Sequence, residues 1–184
     1  MVNQEEWLLE LEDTEWPFTA IDHERLIARA IVTDDDRNFY FVRAERDDVF
    51  GKAVFIETAG GGVEPNEDLD TAIRRELQEE LGVNVDVICK IGVVSDYYNL
   101  IRRHNINHYF LCRIVSFGEK HLTKEERESF HLSTLKLKYD DALDEYDRCS
   151  RTRLGKLIAS REVPVLKRAK ELLEETAPNL STQI

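Results

Sequence analysis

Leu69, Ile73, Leu77 and Leu81 recur at a strict interval of four residues, and this constrains the chain more than any other feature. Apolar side chains so spaced form one stripe of an amphipathic helix, which must be covered by a core. Asp68 and Asp70 stand where acids complement a helix N-terminus, and Gly82 stands where a left-handed stop is expected. Beside the stripe lie Glu76, Glu79 and Glu80. Their i, i+3 and i+4 spacing places Cβ atoms roughly 5–6 Å apart. Three carboxylates held that close repel one another unless a cation joins them. Hard oxygen ligands with room for water and phosphate suit Mg²⁺ or Mn²⁺. A Glu-rich helix face is usually just solvated, so the framing of these residues has to decide.

That framing is Gly61, five residues, Glu67, seven residues, then Arg75-Glu76-Leu77-Gln78-Glu79-Glu80-Leu81-Gly82-Val83. It matches the Nudix box at every specified position, so the chain resembles a Nudix hydrolase. The resemblance covers about residues 26–147. It implies a loop–helix–loop that binds divalent metal and cleaves a diphosphate linked to a nucleoside or other group. The implied fold is α+β: a Nudix-like α/β/α sandwich with a mixed central sheet and the box helix on one side. Residues 1–25 form an N-terminal extension, and residues 148–184 a C-terminal helical segment packed on the same domain.

By the family pattern Glu76, Glu79 and Glu80 ligate the metal, Gly61 adds its carbonyl, and Glu67 joins from the helix start. Arg75 orients a carboxylate through a bidentate pair. Leu77 and Val83 are core positions. The general base is either a box glutamate or one from a later loop, where Glu125, Glu126 and Glu128 are the candidates. Gly60 and Gly61 let the backbone approach substrate closely. Glu57 stands where ADP-ribose-type members begin an E-x-P-A-G lead-in. Here the run is Glu57-Thr58-Ala59-Gly60-Gly61, without the proline, which weakens that assignment. Tyr97 and Tyr98 fall near the tyrosine of dinucleoside-polyphosphate members, with aromatic core as the alternative. Arg102, Arg103 and His104 read as phosphate or ribose contacts or as a basic surface loop. Arg29 and Arg43 are outsiders on strands near the box.

The flanking chain reads as strands, one central helix, strands, then helices. Residues 26–33 and 38–44 are β-rich and separated by an acidic turn, so a hairpin is expected. Residues 53–57, 85–94, 108–117 and 130–137 read as further strands. Residues 95–107 read as a polar interruption and 118–128 as a charged loop. A helix is expected over 139–147, and another from Thr152 onward, broken at Pro164. Trp7 and Trp16 mark a segment that covers the core or docks onto a second subunit; with the C-terminal helices they motivate a homodimer.

Composition closes off other classes. The 184 residues are 42% hydrophobic and 34% charged, a globular composition. A net charge of −12 lacks the footprint of a nucleic-acid-binding protein. It also repels an anionic substrate at long range, so metal ions and a few arginines must supply local positive charge. Cys89, Cys112 and Cys149 are widely spaced and read as reduced thiols of a cytoplasmic protein. The stretch Met1–Trp16 has no signal-peptide pattern, and no apolar run reaches membrane-spanning length. The reading is a metal-dependent pyrophosphatase acting on a nucleotide-type small molecule. The alternative is a Nudix-fold sensor that binds a nucleotide without cleaving it; loss of box glutamates would favour that, and none is lost.

Overall fold

The helix demanded by the apolar stripe covers one face of the sheet. The computed structural model describes residues 6–176. Helix α1 runs Leu69–Leu81. Asp68 caps it by accepting from the Thr71 amide, and Gly82, at φ 67°, ends it in the left-handed conformation. Ile73 and Leu77 are fully buried and Leu81 nearly so, each contributing roughly 1.5–3 kcal/mol by burial.

Eight strands form the sheet: β1 (Leu8–Leu11), β2 (His23–Thr33), β3 (Phe39–Asp48), β4 (Gly51–Glu57), β5 (Ala59–Gly62), β6 (Val83–Tyr98), β7 (Arg103–Phe117) and β8 (Ser133–Leu137). The order is β1-β6-β7-β2-β3-β4, with β5 paired to β2 and β8 to β3. It is mixed: β1 lies parallel to β6 and β2 parallel to β7, while the other pairs are antiparallel.

Alternation along the strands sorts side chains into two cores. Ala28, Ala30, Val32, Tyr40 and Val42 face α1. Ile31, Phe39 and Phe41 face the opposite layer, made by α3 (Tyr139–Cys149) and α4 (Arg153–Thr176). A short helix, α2 (Lys124–Glu128), lies between β7 and β8. The result is the expected sandwich.

Several expectations are corrected. The hairpin of β2 and β3 exists as a connection but pairs only at Val32–Tyr40 and Thr33–Phe39. The long partner of β2 is β7, matched over eleven residues from His23–Arg103 to Thr33–Arg113. Residues 95–107 are no interruption: β6 continues to Tyr98, a 3₁₀ turn spans Asn99–Ile101, and β7 begins at Arg103. Asp96, Tyr98 and Asn107 there join a buried polar network rather than facing water. The charged loop contains α2, held by a reciprocal cap between Thr123 and Glu126. Pro164 does not break α4, which runs through it. The lost hydrogen bond costs about 3 kcal/mol in a helix interior, and the fully buried Arg161, Glu162, Val165, Leu166 and Ala169 anchor the turns on either side.

Both tryptophans are used within the chain. Trp7 and Trp16 pack against the α4-side core, β1 extends the sheet edge, and the Val93 amide donates to the Trp7 carbonyl at 2.9 Å. Among the described residues no helix is long and apolar enough to cross a membrane.

Candidate active site

A cleft of about 460 Å³ opens between α1 and the strand ends, a size suited to a small molecule. Helix α1 lends it Arg75, Glu76, Glu79 and Glu80; β5 lends Gly60 and Gly61; β4 lends Phe55 and Glu57. Arg25 and Arg29 reach it from β2, Arg46 from β3, Arg103 from the start of β7, and Thr123, Glu126, Phe130 and Leu132 close one side. A larger hollow of about 840 Å³ lies between the Glu12–Phe18 segment and the β6–β7 turn. It contains none of the box residues, so chemistry rather than volume marks the site.

Arg75 organises the carboxylates. Its Nε and Nη2 donate to the two oxygens of Glu67 at 2.9 and 3.0 Å, the bidentate pair expected. Its Nη1 reaches Glu76 at 2.8 Å and Glu79 at 3.2 Å, and Nη2 also donates to the Gly62 carbonyl at 3.1 Å. The hydrogen bonds from Glu67, opposed by burial and joined by Glu76, raise the pKa of the guanidinium further. Glu80 points elsewhere, accepting from the Gly60 amide at 2.8 Å. Protein surrounds it closely, and burial pushes its carboxyl up to about 8, a shift the Gly60 hydrogen bond only partly opposes. Burial also raises Glu76, against the pull of Arg75.

Gly61 is a glycine for a spatial reason. A Cβ there would stand 2.5–2.7 Å from the Glu76 carboxylate. At Gly60, φ is +142° and a Cβ would meet the Ala28 carbonyl at 2.2 Å. No other residue leaves this carboxylate its place.

Behind the cleft lies a second, buried cluster. Glu57 sits between Arg29 and Arg161, 3.1 Å from each. Arg161, on α4 and 1% exposed, also reaches Asp96 at 3.2 Å, Glu162 at 3.0 Å and the Tyr98 hydroxyl at 2.9 Å. The Tyr109 hydroxyl donates to Glu162 at 2.9 Å, and Arg29 donates to Asn107 at 3.2 Å. Asn107 in turn donates to Asp96 at 2.8 Å. Burial works to raise the pKa of Glu57, but Arg29 and Arg161 outweigh it and hold it lowered.

The structure thus brings Glu57, Gly60, Gly61, Arg75, Glu76, Glu79, Glu80, Arg103 and Glu126 to one cleft, with Glu67 tied to it through Arg75. Glu126 borders the cleft, but its carboxylate accepts from the Thr123 amide at 2.7 Å as the helix cap. Glu125 is exposed on α2 and does not line the cleft, and Glu128 pairs with Lys124 at 3.8 Å. Arg43 lies on β3 opposite Ile56, with its charge felt by Cys149 of α3, away from the cleft. Tyr98 is buried behind it, bonded to Arg161 and stacked under the Arg103 guanidinium at 5.3 Å. Sequence reasoning missed Arg25, Arg46, Asp96, Arg161 and Glu162. For the last two a signal existed: Leu157–Arg161–Val165 and Ile158–Glu162–Leu166 place both in the apolar stripe of α4.

A family model for the NUDIX domain matches residues 23–148. The chain belongs to the NUDIX family. Solved structures with this fold include a NUDIX hydrolase from Nitrosomonas europaea, 17% identical over 81% of this chain and 90% of that one, TM-score 0.62. An ADP compounds hydrolase is 16% identical over 83% and 75%, TM-score 0.61. A UDP-X diphosphatase is 16% identical over 84% and 66%, TM-score 0.55. At such identities these likenesses establish the fold. No curated protein sequence matches the chain significantly. As a NUDIX hydrolase the protein is a pyrophosphohydrolase, an enzyme for phosphoanhydride bonds.

Proposed function

We propose that this NUDIX hydrolase cleaves a nucleoside diphosphate linked to another moiety, using a divalent cation held by the box glutamates. The observation that carries the reading is the set of Glu76, Glu79 and Glu80 facing one cleft, with Gly61 leaving room at the Glu76 carboxylate. The donors are all hard oxygens, which fits Mg²⁺ or Mn²⁺. Among the described residues no three acids are gathered as a ready-made site. Glu76 and Glu79 are bound to Arg75 and Glu80 to the Gly60 amide. These three carboxylates are the residues that would hold the ion, in place of those present partners. Burial raises the pKa of both Glu76 and Glu80, against the pull of Arg75 on the first and of the Gly60 amide on the second.

A bound Mg²⁺ or Mn²⁺ would offset phosphate charge and lower the pKa of a water. The chain's own part is positional. Arg75 and Glu67 hold the first turns of α1 in place, and Gly60 and Gly61 let the backbone approach the phosphates. A box glutamate takes the proton from the attacking water. Glu79 fits that role, because it is the most open of the three, at 39% side-chain exposure, and bound only at 3.2 Å. The ADP and UDP compounds named for two structural relatives support a nucleoside diphosphate derivative as the class.

The deciding experiment is a panel of nucleoside-diphosphate sugars, dinucleoside polyphosphates and nucleoside triphosphates with Mg²⁺ and phosphate detection. Turnover that disappears on chelation and returns with Mg²⁺ or Mn²⁺ is expected. Full activity after rigorous chelation overturns the metal mechanism, and nucleotide binding with no turnover returns the sensor reading. The homodimer is tested by light scattering, where a monomer at high micromolar concentration removes it.

A further inference from the structure

The arginines lining the cleft divide into two kinds. Arg29 pairs with Glu57, Arg46 with Asp48, and Arg75 with Glu67, Glu76 and Glu79. Among the described residues the guanidiniums of Arg25 and Arg103 make neither an ion pair nor a hydrogen bond to any protein group. Arg103 stacks on the Tyr98 ring, and its Nε is buried without a partner.

Their placement is set by the sheet. Parallel pairing of β2 with β7 puts His23 opposite Arg103 and Arg25 opposite Asn105, so the two arginines are diagonal neighbours on adjacent strands. Arg25 is open to solvent by area, yet enough protein surrounds its guanidinium for burial to lower its pKa, helped by the repulsion of Arg29. Burial lowers Arg103 as well, and Arg25 adds to that repulsion. Its guanidinium rests against Gly62, 3.1 Å from where a Cβ would stand, while the preceding Gly61 faces the Glu76 carboxylate. Arg25 therefore flanks the glycine next to the one that flanks Glu76, and Arg103 is its diagonal neighbour on β7. Two like charges held together, partly desolvated and unpaired, are an arrangement that an anion stabilises.

We infer that Arg25 and Arg103 form an anion subsite that takes a phosphate group of the substrate, beside the box carboxylates. This rests on the phosphoanhydride reading above, and it adds a requirement. The preferred substrate presents charge, rather than a neutral sugar or a base, at the Arg25 end of the cleft. A planar guanidinium fork matches phosphate oxygens in pairs, which an ammonium does not.

The test uses the full chain with Mg²⁺ and the best substrate of the panel, with inorganic pyrophosphate as inhibitor. Arg25→Ala and Arg103→Met should each raise KM about tenfold or more, with kcat within about twofold, and weaken pyrophosphate inhibition by the same factor. Arg25→Lys and Arg103→Lys should recover only part of the loss. A raised KM with unchanged pyrophosphate inhibition would assign the two side chains to base or ribose and overturn the subsite. Unchanged KM and inhibition would overturn it as well. Should Arg103→Met lower the melting temperature, Arg25→Ala on its exposed side chain decides the matter alone. Calorimetric titration of pyrophosphate with Mg²⁺ into the parent and Arg25→Ala proteins, set beside the parent's turnover on the panel, separates this inference from the proposed function. Arg25-dependent binding in a chain that cleaves no nucleotide keeps the subsite and discards the function. Pyrophosphate binding that ignores Arg25 discards the subsite.

Discussion

Two arginines in this molecule each gather three acids, and they do so in opposite surroundings. Arg75 holds Glu67, Glu76 and Glu79 at the wall of an open cleft, with its side chain 24% exposed. Arg161 holds Glu57, Asp96 and Glu162 at 1% exposure, between sheet and α4. Water and small ions can reach the first cluster, where on the proposed function a divalent cation would take over from the guanidinium. Arg161 itself is closed off from both.

The largest effect should follow from emptying the closed cluster. Arg161→Met leaves buried acids uncompensated and should cost about 3–5 kcal/mol of stability, read by denaturant unfolding, with or without Mg²⁺. A loss below 1 kcal/mol would erase the distinction between the clusters. Next, Glu79→Gln should lower kcat about a hundredfold or more, while the metal-free melting temperature holds or rises slightly as repulsion among acids eases. Parental turnover would remove Glu79 from the site. Arg75→Met should destabilise the metal-free protein by roughly 1–2 kcal/mol. Unlike the Arg161 variant it should regain most of that loss with Mg²⁺, since a ligand bound only to the folded state stabilises it. Equal responses of the two variants to Mg²⁺ would break the comparison.

A further effect is in pH. Glu80 has its folded pKa raised from 4.5 to about 8, so its contribution is full below pH 4.5 and is lost as pH rises through about 8. Glu57 has its folded pKa lowered from 4.5, so its contribution is present above 4.5 and is lost as pH falls through the lower value. Metal-free melting temperatures should therefore fall as pH rises from 4.5 to about 8 in the parent and hold level over that range in Glu80→Gln. The same decline in both proteins would show that Glu80 does not titrate in this window.

What was legible in the sequence follows the same division. Helix α1, its Asp68 cap, its Gly82 stop and its carboxylates were all readable, because local spacing determines them. The closed cluster was not. Charged residues in a helix are usually solvated, so nothing but their place in the apolar stripe singles out Arg161 and Glu162. Asp96, Arg103, Asn105 and Asn107 made residues 95–107 look like a loop for a related reason. Their strand turns polar side chains inward, the reverse of the usual pattern. The partners of Asp96 and Asn107, Arg161 and Arg29 among them, lie on other elements, which spacing cannot disclose. Arg43 misled in the opposite way: its strand is near the box, but alternation sends it to the other face.

The long ladder between β2 and β7 also bears on the order of assembly. Residues His23–Thr33 pair with Arg103–Arg113, while their nearer neighbour β3 offers only two matched pairs. A strand synthesised early thus waits for a partner made much later, with Ile27, Ile31 and Val32 uncovered meanwhile. Closing so long a loop before any reward slows folding and leaves a sticky edge in the nascent chain. Refolding of this enzyme from denaturant should accordingly be slow and concentration-sensitive, and helped by whatever shields β2 until β7 arrives.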